Sequence, residues 1–246
     1  MSRAIYLLFG FLSYLVFLAT FLYLIAFTGD FPEVPRAVDF GGPMGSQPVA
    51  IAVDFALIAL FGIQHSVMAR PRFKAAWTRI VPEPIERSVY MLFASLCLIA
   101  MFAFWRPIPT ILWAASTPLL AYALWGLFGL GWLIVLLSTF LLDHFELFGL
   151  RQVWSHAEGS EIPAPVFRTP LFYKRVRHPL YSGFVLAFWA IPLMTVGHAL
   201  LAAGMTVYIL IAIRHEERDL VGLFGADYHD YRRRAGMLIP KFGRES

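Results

Sequence analysis

Apolar residues run along this chain in long blocks separated by short polar connections. Residues 4–27 are almost unbroken in apolar character, and so are 49–68, 89–105 and 119–142. A helix rises about 1.5 Å per residue, so roughly 20 residues cross a hydrocarbon core about 30 Å thick. The four blocks therefore predict four long membrane spans. Two further blocks, 180–196 and 198–213, are shorter and meet at Gly197. They predict a tight helical hairpin, tilted or only partly inserted. The fold class expected is all-α: a polytopic transmembrane helix bundle of four long spans plus a C-terminal hairpin. We expect one membrane-embedded domain, with 1–142 as the four-span half, 143–179 as a connection and 180–246 as hairpin and tail. The first block follows Arg3 and could pass for a signal peptide. It far exceeds the roughly 7–15 residues of a signal core and no small-x-small cleavage site follows, so a retained span is expected.

The connections carry unequal charge. Residues 30–48 hold Asp30, Glu33 and Asp39 against Arg36 alone, and 106–118 hold one arginine. Residues 69–88 hold Arg70, Arg72, Lys74, Arg79 and Arg87, and 143–179 hold Arg151, Arg168, Lys174, Arg175 and Arg177. The tail is basic as well, from Arg214 to Arg244. The alternation of rich and poor connections places both termini and both basic loops in the cytoplasm.

Composition agrees with a membrane protein. The 246 residues are 59% apolar and 15% charged, where soluble domains average roughly 45–50% and about 25%. The net charge of +4 is small and dispersed, which argues against a nucleic-acid partner. Cys97 is the single cysteine, so no disulfide framework and no paired-thiol motif exists within the chain. "GLFGLGW" (126–132) has the look of a glycine-rich nucleotide loop, but it lies inside a span with no strand before it. Glycines there are expected to let helices pack closely. The polar stretch 143–179, broken by Pro163, Pro165 and Pro170, is too short for a sheet-based nucleotide fold.

Polar residues at span ends carry the candidate chemistry. His65 lies near the end of the second block; Asp143, His144 and Glu146 end the fourth; Arg177, His178 and Tyr181 open the hairpin; His215, Glu216, Glu217 and Arg218 close it. The topology above puts all four groups on the cytoplasmic side. Ionisable groups at membrane depth usually face the bundle interior and mark a site. Each has a plainer explanation too: a hydrogen-bonded span end for His65, interface water for the acids, and a snorkelling anchor for the arginine cluster. An arginine and histidine at one end of a hairpin and two glutamates at the other suit a zwitterionic ligand bearing hydroxyls.

"RHPLYSG" (177–183), then the hairpin, then "EERDLVGLFGADYHDYRRR" (216–234), resembles the C-terminal half of the isoprenylcysteine carboxyl methyltransferase and phospholipid methyltransferase superfamily. "QHSVMARPRFKAAWTRIVPEPIERSVYMLFASL" (64–96), "LLDHFELFGLRQVW" (141–154) and "MLIP" (237–240) resemble one branch of it, the methanethiol S-methyltransferases. The resemblance covers nearly the whole chain. It implies S-adenosyl-L-methionine as cofactor, bound by Arg177, His178, Pro179, Tyr181, Gly183, Glu216 and Glu217, with Tyr231 and Arg232 capping it from the tail. It implies a small thiol as acceptor and direct methyl transfer, with no metal. The thiolate is the nucleophile, and a thiol with a pKa of about 8.5 is mostly protonated at neutral pH. A base is needed: the pair Asp143–His144 first, His65 second. The front half also resembles the NnrU family and its carotene-isomerase relatives, which would make His65 and His144 axial haem ligands. Against that, those relatives have no need of the "RHPLYSG…EER" pair. A prenylated peptide or lipid acceptor is the other alternative.

Overall fold

The computed structural model describes residues 3–162 and 166–241; Pro163, Pro165 and Arg244 lie outside them. In chain order the helices are α1 (Arg3–Thr28), α2 (Gln47–Met68), α3 (Pro71–Trp77), α4 (Glu83–Phe104), α5 (Pro118–Leu142), α6 (His144–Leu147), α7 (Leu150–Glu158), α8 (Pro179–Trp189), α9 (Val196–Phe224) and α10 (Ala226–Arg234). Five of them, α1, α2, α4, α5 and α9, are long and apolar enough to cross a membrane. The chain is thus an all-α polytopic membrane protein. Leu8, Phe11, Leu12, Leu15 and Leu22 of α1 stay exposed, as an apolar face turned to lipid requires. Prolines open α2, α3, α4 and α8 within the first two positions, where the missing N–H has no intrahelical partner to lose.

The residues group into two compact units: 3–114, 143–162 and 193–204 in the first, and 115–142, 166–192 and 205–241 in the second. In the first unit α4 packs on both α1 and α2, and α7 lies against α1 and α4. The core at one end holds Phe27, Phe102 and Trp105, whose indole donates to the Val38 carbonyl at 3.1 Å. That bond pins the loop after α1. At the other end Gly149 takes φ +87° beside Ser88, where a Cβ would sit 2.7 Å from the serine hydroxyl. Only glycine suits that turn between α6 and α7.

The hairpin differs in detail from the expectation. α8 stops at Trp189, and β2 (Leu193–Thr195) follows before α9 begins at Val196. β2 pairs antiparallel with β1 (Ile111–Ala114), matching Ile111 to Thr195 and Ala114 to Leu193 with a bulge between. The turn therefore falls at 190–195 rather than at Gly197. Pro192 explains it, since proline cannot continue a helix. α9 also runs on through Arg214–Arg218 to Phe224, a 29-residue helix, so it is a full span where a short hairpin arm was expected. α4 begins at Glu83, six residues ahead of the apolar block, because its first turn is polar and amphipathic.

In the second unit α5 and α8 pack face to face. Gly131 and Gly183 meet at the contact: a Cβ on Gly183 would lie 2.6 Å from the Gly131 carbonyl oxygen, and one on Gly131 2.7 Å from that of Gly183. Small residues let helix backbones approach this closely. Trp132 sits edge-on to Phe184 and Phe188 beside them, and the Trp189 indole donates to Thr206 Oγ1 at 3.0 Å, joining α8 to α9. Gly126 and Gly129, in the same glycine-rich stretch, face open space. Gly183→Val is expected to lower the stability of the detergent-solubilised protein by about 1–3 kcal/mol through overpacking. Gly126→Val, with nothing within reach of its Cβ, leaves the melting temperature nearly unchanged. Thermal melting of both variants checks this.

Candidate active site

The second unit builds its polar cluster from a short strand-like pairing. Residues 175–178 run beside 235–237: Arg177 N–H donates to the Gly236 carbonyl at 2.8 Å, His178 N–H to that of Met237 at 3.1 Å, and Gly236 N–H to that of Arg175 at 3.0 Å. Tyr231 of α10 is buried and its hydroxyl donates to the Val176 carbonyl at 3.2 Å. This pins α10 over the start of α8. The Arg177 guanidinium then lies under the end of α10, donating to the carbonyls of Ala235 at 2.6 Å and Arg232 at 3.3 Å. A cation at a helix C-terminus is favoured by the dipole as well as by hydrogen bonding.

The other side of the guanidinium meets α9. Arg177 Nε donates to Glu217 Oε1 at 2.7 Å, His178 Nε2 lies 3.2 Å from the same oxygen, and Arg232 Nε lies 3.3 Å from Glu217 Oε2. His178 Nδ1 is 3.9 Å from Glu216 Oε2. Exposure divides the group in two. The side chains of His178, Glu217 and Arg177 are only 3%, 10% and 12% exposed, whereas those of Glu216 and Arg232 are 43% exposed. The first three satisfy one another; the last two face outward. Burial also holds the phenols protonated: Tyr173 and Tyr228 are raised well above the usual range, and Tyr231 is pushed up to about 12, with Arg177 partly opposing. The Tyr181 ring lies 5.7 Å from that of His178, Pro179 occupies the first turn of α8, and Gly183 is turned to α5.

The first unit holds the other candidates. His144 is buried, with Nε2 hydrogen-bonded to the Tyr14 hydroxyl at 2.8 Å and its ring 4.8 Å from that of Phe148. Burial lowers its pKa, with the charge of Asp143 partly offsetting this, so the imidazole is neutral at neutral pH. Asp143 is occupied otherwise: Oδ1 accepts from Glu146 N–H at 3.0 Å and caps α6, while Oδ2 pairs with Arg151, which also reaches Glu146 Oε2 at 3.1 Å. His65 is stacked on Phe61 at 5.2 Å and lies 4.9 Å from the Tyr90 ring. Tyr90 forms a buried cluster with Met68 and Met91, and Phe148 packs against that cluster. His65 and His144 thus border the same cluster, through Tyr90 and Phe148. Arg87 lies over Tyr90 and donates to the Leu147 carbonyl at 2.8 Å, fastening α4 to α6.

A methanethiol S-methyltransferase of Bradyrhizobium diazoefficiens is 52% identical over 233 residues, covering 95% of this chain and 81% of the relative. The methanethiol S-methyltransferase of Mycobacterium tuberculosis is 49% identical over 242 residues, covering 98% of both. The chain belongs to the methanethiol S-methyltransferase family. Human nurim is 29% identical over 230 residues, or 85% of the chain. No protein-family model matches, and no solved structure matches.

As a member of the methanethiol S-methyltransferases, the chain is an enzyme that moves a methyl group. Sequence reasoning found the residues of both clusters and missed two of their partners. Tyr14 lies in the first apolar run, where nothing distinguishes it from a lipid-facing tyrosine. In the sequence Arg151 reads as one more loop charge; its spacing of eight from Asp143 in "DHFELFGLR" is the available signal of the pair. The two exposure classes yield a test. Removing one member of a buried pair leaves the other charge uncompensated, at a cost of about 3–5 kcal/mol. Arg177→Ala and Glu217→Ala are each expected to destabilise the methyltransferase by that order in chemical or thermal melting. Glu216→Gln, at the exposed edge, should leave the melting curve in place.

Proposed function

We propose that the chain transfers the methyl group of S-adenosyl-L-methionine to methanethiol, releasing dimethyl sulfide, S-adenosylhomocysteine and a proton. The observation that carries the reading is the near full-length identity of about half the residues with methanethiol S-methyltransferases. The donor set of the second unit suits this cofactor. The outward carboxylate of Glu216 can accept from ribose hydroxyls or the ammonium, and the outward guanidinium of Arg232 can hold the carboxylate. Arg177, His178 and Glu217 position those two, while Pro179, Tyr181 and Tyr231 fix the backbone and rings around them. Gly183 serves by letting α8 lie close to α5. When bound, S-adenosylmethionine supplies a methyl group already activated by its sulfonium.

The remaining task is a thiolate. His144, neutral and hydrogen-bonded to Tyr14, forms a relay in which a thiol proton passes to the tyrosine oxygen as the tyrosine proton passes to Nε2. Asp143 holds α6 and Arg151 in place and so aims the imidazole. His65 packs on Tyr90 of the cluster that Phe148 borders. By the asymmetry of Lys and Arg, both termini and the basic loops 69–88 and 143–179 lie in the cytoplasm, the compartment that holds the cofactor.

Purified protein given methyl-labelled S-adenosylmethionine and methanethiol should release labelled dimethyl sulfide, read by gas chromatography. Labelling of prenylcysteine or lipid amines in its place would overturn the assignment of the acceptor. In the same assay Glu216→Gln and Arg232→Ala should raise the KM for S-adenosylmethionine several-fold. Unchanged KM in both would remove the outward pair from cofactor binding.

His144→Ala and Tyr14→Phe are expected to slow methylation of an alkanethiol by about 10²–10⁴-fold, the usual scale of general-base assistance. An aromatic thiol already ionised at the assay pH should lose far less. Equal loss with both thiols would make these residues positioning groups.

A further inference from the structure

The first unit carries a second set of polar side chains, at the end of the helices away from His65 and His144. Asp30 follows α1, Asp39 lies in the loop after it, and His198 lies in the first turn of α9. One ligand atom from each of the three falls within 4.8 Å of the others. The supports are specific. Asp39 N–H donates to Asp30 Oδ1 at 2.9 Å, Thr195 Oγ1 donates to Asp39 Oδ1 at 2.6 Å, and His198 N–H donates to Thr195 Oγ1 at 3.0 Å. These bonds hold one oxygen of each carboxylate and leave the others turned inward. Asp39 Oδ2 is buried with no hydrogen-bond partner among the described residues, and His198 Nδ1 lies 3.9 Å from Asp30 Oδ2. Asp30 takes φ +50° to reach this position, a left-handed conformation that a non-glycine residue adopts at a cost.

Two carboxylates set side by side in a part-buried pocket repel each other. Burial, then the neighbouring Asp30, pushes the carboxyl of Asp39 well above the usual carboxylate range. A divalent cation removes that repulsion and uses the inward oxygens. Ligands of zinc at about 2.0–2.2 Å from the ion lie about 3.4 Å apart, so side-chain rotations of roughly an ångström close the observed spacing. Two carboxylates and one imidazole suit zinc or manganese; magnesium prefers oxygen and water, and copper(I) prefers sulfur.

We propose that Asp30, Asp39 and His198 bind one divalent transition cation, zinc or manganese, which clips the end of α1 and its following loop to the start of α9. Water would complete the coordination. The site is independent of the methyl-transfer reading, so its test needs no turnover.

Full-length protein without an affinity tag, in detergent and stripped with a chelator, would be titrated with zinc chloride by calorimetry and with manganese by electron paramagnetic resonance. We expect one equivalent bound and a higher melting temperature with metal than with chelator. Asp39→Asn, which keeps the shape and the Thr195 bond, and His198→Gln should each weaken binding at least tenfold. Absence of saturable binding to the wild-type chain, with melting indifferent to metal and chelator, would mean that the two acids share a proton and would overturn the proposal. Wild-type affinity in Asp39→Asn would equally overturn it, since the ion would then lie elsewhere.

Discussion

The carboxylate of Glu217 sets the terms for the second unit. It sits on an apolar membrane helix with its side chain 10% exposed, and an ion in that position must be neutralised and fully hydrogen-bonded. Its two oxygens take three partners: Arg177 and His178 on one, Arg232 on the other. Each partner brings its own segment. Arg177 and His178 require the chain before α8 to run beside residues 235–237, and Arg232 requires α10 to fold back under α9. The bonds of Tyr231 to the backbone and of Arg177 to the end of α10 follow from that arrangement. A cluster of this kind is worth little as net stabilisation, because desolvation offsets much of the Coulomb gain. Its value is in specifying one geometry, because any half-made version leaves a buried charge alone.

What the sequence disclosed depended on the range over which each signal acts. Hydropathy is a sum over about 20 residues, so α1, α2, α4 and α5 were legible at once. Breaks are local and were harder. Gly197 drew the hairpin turn toward itself, although Pro192 was the true stop, and the three-residue β2 left no pattern to read. The charges of Arg214–Arg218 look like the end of a span, yet α9 carries them to Phe224: Glu217 is buried and paired, while Arg214 and Arg218 are exposed.

The site showed the same division. Candidate residues could be named from their position at span ends and from the family pattern. Who pairs with whom could not. Arg177 and Glu217, 40 positions apart, satisfy each other, and only their less buried neighbours Glu216 and Arg232 keep groups turned outward. Asp143 stands next to His144 in sequence but spends its oxygens on the first turn of α6 and on Arg151. Adjacency in a helix start says little about which side chains meet. Asp30, Asp39 and His198 do not read as a group, since the loop after α1 and the start of α9 supply them from far apart in the chain, with no spacing to mark them.

A consequence for catalysis follows from how charge is distributed. In the second unit the two guanidiniums of Arg177 and Arg232 balance the two carboxylates of Glu216 and Glu217. These four formal charges cancel, so the carboxylate and ammonium of a ligand can exchange with them pair for pair. In the first unit the logic is reversed. His144 is kept neutral by burial among Tyr14, Phe145 and Phe148, and a neutral imidazole can take a proton only if the product charge is tolerated. Asp143, beside it in the chain, opposes the effect of burial and so makes the protonated state accessible without making it the resting one. Under the proposed reaction an uncharged thiol suits that environment, because it carries no charge to desolvate until it reacts.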